Sequence, residues 1–194
     1  MRLFVLARHA QSTLNLEQRV TGDPSLDVPL TEQGRDEARL LGTQLANLAL
    51  DVCIHTRFPR TRLTAEIVLA GREVPLETEP LLDDIDIGEL EGWPAKDYRA
   101  WKAGHGRDEA FPGGESLDAA ADRYARALRR LLETKHSTML VVCHEIPIRY
   151  ALNGATSSDS LDGPSHEIPN AVPYCFDDEA LERAAVGIER LRRS

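Results

Sequence analysis

Two apolar runs constrain this chain most: residues 3–7 (Leu-Phe-Val-Leu-Ala) and Thr138–Cys143 (Thr-Met-Leu-Val-Val-Cys). Both are nearly continuous, which suits strands covered on both faces in a mostly parallel sheet. Two further runs, Val52–His55 and residues 172–176, have strand length. Helical patterns lie between them. Thr31 is placed as an N-cap with Glu32 in the first turn, and Ala38, Leu41, Leu45 and Leu48 recur at helical spacing toward Leu50. Pro59 opens a second helix carrying Ala65, Ile67, Val68 and Leu69. Residues 116–134, rich in Ala, Leu and Arg, predict the longest helix. Pro147 sits in the first turn of a helix through Ile148, Tyr150, Ala151 and Leu152. From Asp177 on, Leu181, Ala184, Ile188 and Leu191 predict a last helix, with Gly187 weakening it. Strands alternating with helices imply an α/β fold, a three-layer sandwich whose mostly parallel central sheet is flanked by helices.

A chain of 194 residues suits one domain spanning 1–194. Residues 86–114 break the pattern with several Gly and Pro and both tryptophans, and read as a small lid-like insertion over one end of the sheet. The net charge of -9 argues against nucleic-acid and anionic-membrane partners, which favour basic surfaces. An anionic ligand must then be captured by a local cationic pocket. No stretch approaches the ~20 apolar residues of a membrane span. The first strand starts almost at once, so no signal peptide is expected, and a cytoplasmic location fits best. Cys53, Cys143 and Cys175 are odd in number and read as reduced core residues. The sequence leaves a homo-oligomer open.

The chemistry collects at strand ends. Arg8 and His9 follow the first strand, Arg60 follows the second at a helix start, and His144 follows the third. Three segments thus bring two arginines and two histidines to one edge of a sheet, where open α/β sheets bind ligands. Fixed cations and helix-terminal N–H groups are what a transferring phosphoryl group needs, and the arginine fork can hold two of its oxygens. Arg57 and Arg62 compete with Arg60 for this assignment. His144 also reads as a buried strand-end histidine. A metal site built from His9, His144 and Asp84 is set aside, because two nearby arginines repel a cation. No cofactor is implied.

The segment Arg8-His9-Ala10-Gln11-Ser12-Thr13-Leu14-Asn15 resembles the Arg-His-Gly signature of the histidine phosphatase superfamily, the phosphoglycerate-mutase-like fold, in its broad phosphatase-type branch. The likeness continues in family order through Thr21-Gly22, the stretch 27–34, Arg60 with Thr64-Ala65-Glu66, the stretch 83–92, the stretch 113–116 and Val142-Cys143-His144. The resemblance implies that His9 is the nucleophile, forming a phosphohistidine. It implies that Arg8, Arg60 and His144 hold the phosphoryl oxygens, with Asn15 and Ser12 as hydrogen-bond partners and Thr21 and Gly22 in a substrate-binding loop. Asp84 stands where the family usually has a glutamate acid, and adjacent Asp83 is the alternative. The implied activity is metal-independent hydrolysis of a small phosphorylated metabolite. A mutase and a phosphate-ester-binding module with weakened catalysis are the alternatives.

Two departures bear on this. Ala10 and Glu145 stand where the family usually has glycine. Alanine is a small change if φ is negative. Glu145 either places a carboxylate beside the phosphate or points away at the N-terminus of the next helix, where negative charge is favourable. In the insertion, Trp93, Lys96, Tyr98, Arg99, Trp101, Lys102, His105 and Arg107 offer stacking and cationic contacts, or form a solvated amphipathic face.

Overall fold

The computed structural model describes residues 2–156, 158–165 and 167–192. Its elements run β1 (Leu3–Arg8), α1 (Thr13–Leu16), α2 (Glu32–Gln44), β2 (Val52–His55), α3 (Pro59–Val68), β3 (Leu76–Thr78), α4 (Ala95–Gly104), α5 (Leu117–Glu133), β4 (Thr138–Cys143), α6 (Glu145–Ala155), β5 (Pro173–Phe176) and α7 (Asp178–Leu191). The strands form one sheet in the order β3-β2-β4-β1-β5. All pairs are parallel except β1 with β5.

The two apolar runs become adjacent central strands, with Val5 opposite Leu140 and Ala7 opposite Val142. Successive side chains of a strand point to opposite faces. Phe4 and Leu6 therefore join a core with Val52, Met139 and the apolar faces of α5, α6 and α7. Val5 and Ala7 join the other core with Cys53, Leu140 and the buried sides of α2 and α3. This is the expected three-layer α/β sandwich.

The helices start where the capping residues stand. The Thr31 hydroxyl accepts from Gly34 N and the Ser116 hydroxyl from Ala119 N, each satisfying a first-turn N–H. α2 stops at Gln44, short of the expected Leu50, and Leu45 and Leu50 reach the core from the loop beyond it. α7 forms despite Gly187 because that glycine is needed: a Cβ there would lie 2.2 Å from Gly154 O, so two glycines let α6 and α7 cross closely. Cys53 and Cys143 are buried and free, whereas Cys175, expected in the core, is exposed on β5. Among the described residues no helix is long and apolar enough to cross a membrane.

Candidate active site

Parallel pairing puts the carboxyl ends of β1, β4 and β2 side by side, so the residues leaving these strands meet at one edge. His9 leaves β1 with its N–H donating to Cys143 O at 2.9 Å. The next residues are held from two sides: Asn170 Nδ2 donates to His9 O at 2.7 Å, and Ala10 N donates to Thr64 Oγ1 at 3.0 Å. Ala10 is fully buried and is not among the positive-φ residues, so this turn does not require glycine's freedom. His9 Nδ1 lies 2.8 Å from Ala10 O. A carbonyl only accepts, so Nδ1 carries the proton and Nε2 keeps its lone pair.

Arg60 is the hub. Pro59 starts α3, and Arg60, in its first turn, stacks its guanidinium over Phe58 at 4.2 Å from the ring centroid. Its Nε donates to His9 Nε2 at 3.1 Å. Its Nη2 reaches Asp84 Oδ2 at 3.1 Å, His144 Nδ1 at 3.3 Å and Thr21 O at 3.4 Å. Arg57 and Arg62 turn outward, pairing with Asp83 and Glu66.

The two adjacent aspartates are separated by their surroundings. Asp83 is buried and accepts from both the backbone N and the Nε of Arg57. Asp84 instead faces the cavity edge beside Arg60. Its loop is clasped by α5, where Arg123 donates to the carbonyls of Asp83 and Asp84, and Tyr124 OH to that of Asp83. Burial raises the Asp84 carboxyl above the usual range, with the Arg60 guanidinium opposing. Burial lowers His9 well below the ordinary histidine value, reinforced by Arg60 and Arg8. His144 is lowered well below it by burial, then by Arg60 and His9. Both rings are therefore neutral near pH 7.

His144, fully buried, packs behind this edge. Its Nε2 lies 2.9 Å from Thr56 Oγ1 and its Nδ1 3.3 Å from Asp84 Oδ2. It touches the acid and the guanidinium, and its ring centroid is 5.5 Å from that of His9. The cavity, of about 1060 Å³, is lined by Arg8, His9, Ser12, Asn15, Thr21, Arg60, Asp84 and Glu145 among others. Ser12 and Asn15 cap the one-turn helix α1 reciprocally, with Asn15 Oδ1 accepting from Ser12 N and Oγ. Gly22, expected at the substrate, lies outside the cavity. It donates to Glu91 Oε2 at 2.7 Å, and a Cβ there would sit 2.1 Å from Ile85 O, so its smallness serves loop packing.

Of the eight insertion residues singled out in sequence, Tyr98, Arg99 and Lys102 line the cavity, all from α4. Trp101 instead stacks on His105 and packs at a tilt against Phe111, and Arg107 pairs with Asp118 and Asp162. Glu145, the first residue of α6, stands 3.1 Å from Arg8 and also pairs with Arg149. Both sequence readings of it hold in part: it occupies the helix start, yet its carboxylate faces the cavity.

The model of the histidine phosphatase superfamily (branch 1) matches residues 4–180. The chain belongs to that superfamily. A 2,3-bisphosphoglycerate-dependent phosphoglycerate mutase 2 of Gloeobacter violaceus is 32% identical over 93% of this chain and 87% of its own length. Phosphoserine phosphatase 1 of Hydrogenobacter thermophilus is 32% identical over 75% and 72%. The alpha-ribazole phosphatase of Shigella flexneri shares the fold, with a TM-score of 0.76 at 23% identity, over 90% of each chain.

As a histidine phosphatase superfamily member, the chain holds its strand-end residues with groups that sequence reading did not single out for this task. Thr64 and Glu91 stood inside segments that carried the resemblance, and Thr56 precedes Arg57, so proximity was the available signal. Asn170 and the Ile168 carbonyl, which accepts from Arg8 Nη1 at 2.8 Å, are brought in by the chain's return to the sheet, and no local pattern marks them.

Proposed function

We propose that this chain is a metal-independent phosphomonoesterase that hydrolyses a small phosphorylated metabolite through a phosphohistidine on His9. The observation that carries the reading is the set of contacts on Arg60, which ties the unprotonated Nε2 of His9 and the carboxyl of Asp84 to one guanidinium. In the first step Nε2 attacks phosphorus while the bond to the ester oxygen breaks, and Asp84 gives its proton to that oxygen. In the second, Asp84 takes a proton from water as the water attacks phosphorus, which releases inorganic phosphate and restores His9. Arg60 exchanges its hydrogen bond to Nε2 for phosphoryl oxygens. Arg8, Ser12, Asn15 and Thr21 complete the phosphoryl site. His144, held by Thr56, orients Arg60 and Asp84 from behind. The arginines supply the positive charge that a metal ion supplies in other phosphoryl-transfer sites. The α4 face acts as a lid that sets the leaving group.

Phosphate release from an aryl phosphate and a panel of phosphorylated metabolites, with chelator present, tests this. Turnover by wild type and its loss in His9→Ala are expected; chelator-sensitive or His9-independent turnover contradicts the reading. The mutase relatives favour one other outcome, return of the phosphoryl group to product. Conversion of one phosphoglycerate isomer to the other, stimulated by a bisphosphate, would establish it.

A further inference from the structure

Glu145 stands at one end of a run of alternating charges. Arg8 Nη1 lies 3.1 Å from its carboxylate, and the Arg149 guanidinium holds its other oxygen. Arg149 Nη1 is 3.5 Å from Asp162, and Asp162 pairs with Arg107. Arg8, Glu145, Arg149 and Asp162 all line the cavity; the first three are partly buried and Asp162 is exposed. Glu145 thus sits between the guanidiniums of Arg8 and Arg149, and Asp162 between those of Arg149 and Arg107. Among the described residues, the cavity's unmatched cations, Arg99 and Lys102, lie on the α4 side.

We propose that Glu145 is a specificity-determining residue: its carboxylate engages Arg8 and Arg149 and disfavours phosphate esters that carry a second anionic group. This rests on the reading of the cavity as a phosphomonoester site. The physical reason is direct. With the phosphoryl group on His9, Arg60 and Arg8, a carboxylate or second phosphate on the leaving group enters a wall that already holds two acidic side chains. In a partly buried cavity, a like charge within several Å is felt strongly. A neutral, hydroxyl-bearing leaving group meets the same wall as a row of donors and acceptors. On the Glu145 side the cavity therefore favours an uncharged leaving group over an anionic one, and Arg99 and Lys102 stand across from it on α4. Phosphoglycerates and bisphosphates, which a mutase must bind, are the disfavoured class.

The test compares two esters that differ mainly in one charge, glycerol 3-phosphate and 3-phosphoglycerate, on wild type and Glu145→Gln. Glutamine keeps a carbonyl acceptor for Arg8 and Arg149 while removing the charge. The ratio of kcat/KM for 3-phosphoglycerate to that for glycerol 3-phosphate is expected to rise about tenfold in the variant. Asp162→Asn is expected to shift it the same way by less. An equal change on both esters, or an unchanged ratio, overturns the proposal, since a merely structural role would move both alike. Titration calorimetry of the same esters on the same variants reads the ratio of Kd without turnover. If wild type releases no phosphate from any ester, the hydrolase reading fails, while the Kd ratio still decides the role of Glu145.

Discussion

His9 and His144 are buried neutral in a site that also holds two arginines, and this has consequences for rate and for stability. In the unfolded chain each protonates near 6.5; in the folded protein each does so only at much lower pH. Below pH 6.5 the unfolded state therefore binds more protons, and stability falls with pH by about 1.4 kcal/mol per unit for each histidine. Asp84 works in the opposite sense, its raised folded value contributing stability at low pH that is lost as pH rises through it. Urea unfolding between pH 7.5 and 5.5 should show a shallower fall for His9→Asn than for wild type; equal slopes would mean that His9 titrates alike in both states. If the proposed mechanism holds, the acid limb of kcat/KM is expected to follow His9, whose neutral form attacks, and the alkaline limb Asp84, whose protonated form is the acid. Asp84→Asn should abolish the alkaline limb and slow alkyl phosphates by about 10²–10⁴, with aryl phosphates, whose leaving groups need less protonation, losing less. A uniform loss on both would place the acid elsewhere. At this scale Arg8, His9, Arg60 and Asp84 were legible because each stands beside a strand end or in an ordered motif. The choice between Asp83 and Asp84 was not, because it depends on Arg57 and α5, remote in sequence from the acid itself.

The elements were legible where one apolar pattern sufficed. β1 and β4 are covered on both faces and read as continuous apolar runs; α5 has capping Ser116 and a buried side of Ala, Leu and Tyr124. β3 left no such mark: Leu76, Glu77 and Thr78 are all exposed on the sheet edge, and only pairing to β2 makes them a strand. α4 was hidden for a similar reason, having no side-chain N-cap and no fully buried residue. The crossing of α6 and α7 was legible only as a doubt about Gly187, since the partner glycine lies 33 residues away by sequence number, at Gly154. Gly187→Ala should destabilise the protein by about 1–3 kcal/mol, because a Cβ 2.2 Å from Gly154 O forces the helices apart. Urea denaturation measures this, and a stability equal to wild type would mean that the helices separate freely.

Across the whole molecule, a chain of net charge -9 concentrates cations at one sheet edge. Parallel strand order does this: the carboxyl ends of β1, β4 and β2 are neighbours, so residues 8, 9, 60 and 144 meet although they are scattered along the sequence. That convergence was legible from the alternation of strands and helices. The supporting shell was not, since Asn170 and Ile168 acquire their roles only once the chain has returned across the sheet. Covalent transfer to His9 leaves a mark on the protein itself, which intact-protein mass spectrometry of enzyme quenched in alkali during turnover reads. An acid-labile gain of one phosphoryl group, mapped to His9 and absent in His9→Ala, is expected. Rapid turnover with no phosphorylated protein at any quench time, or a phosphoryl group on another residue, would contradict it.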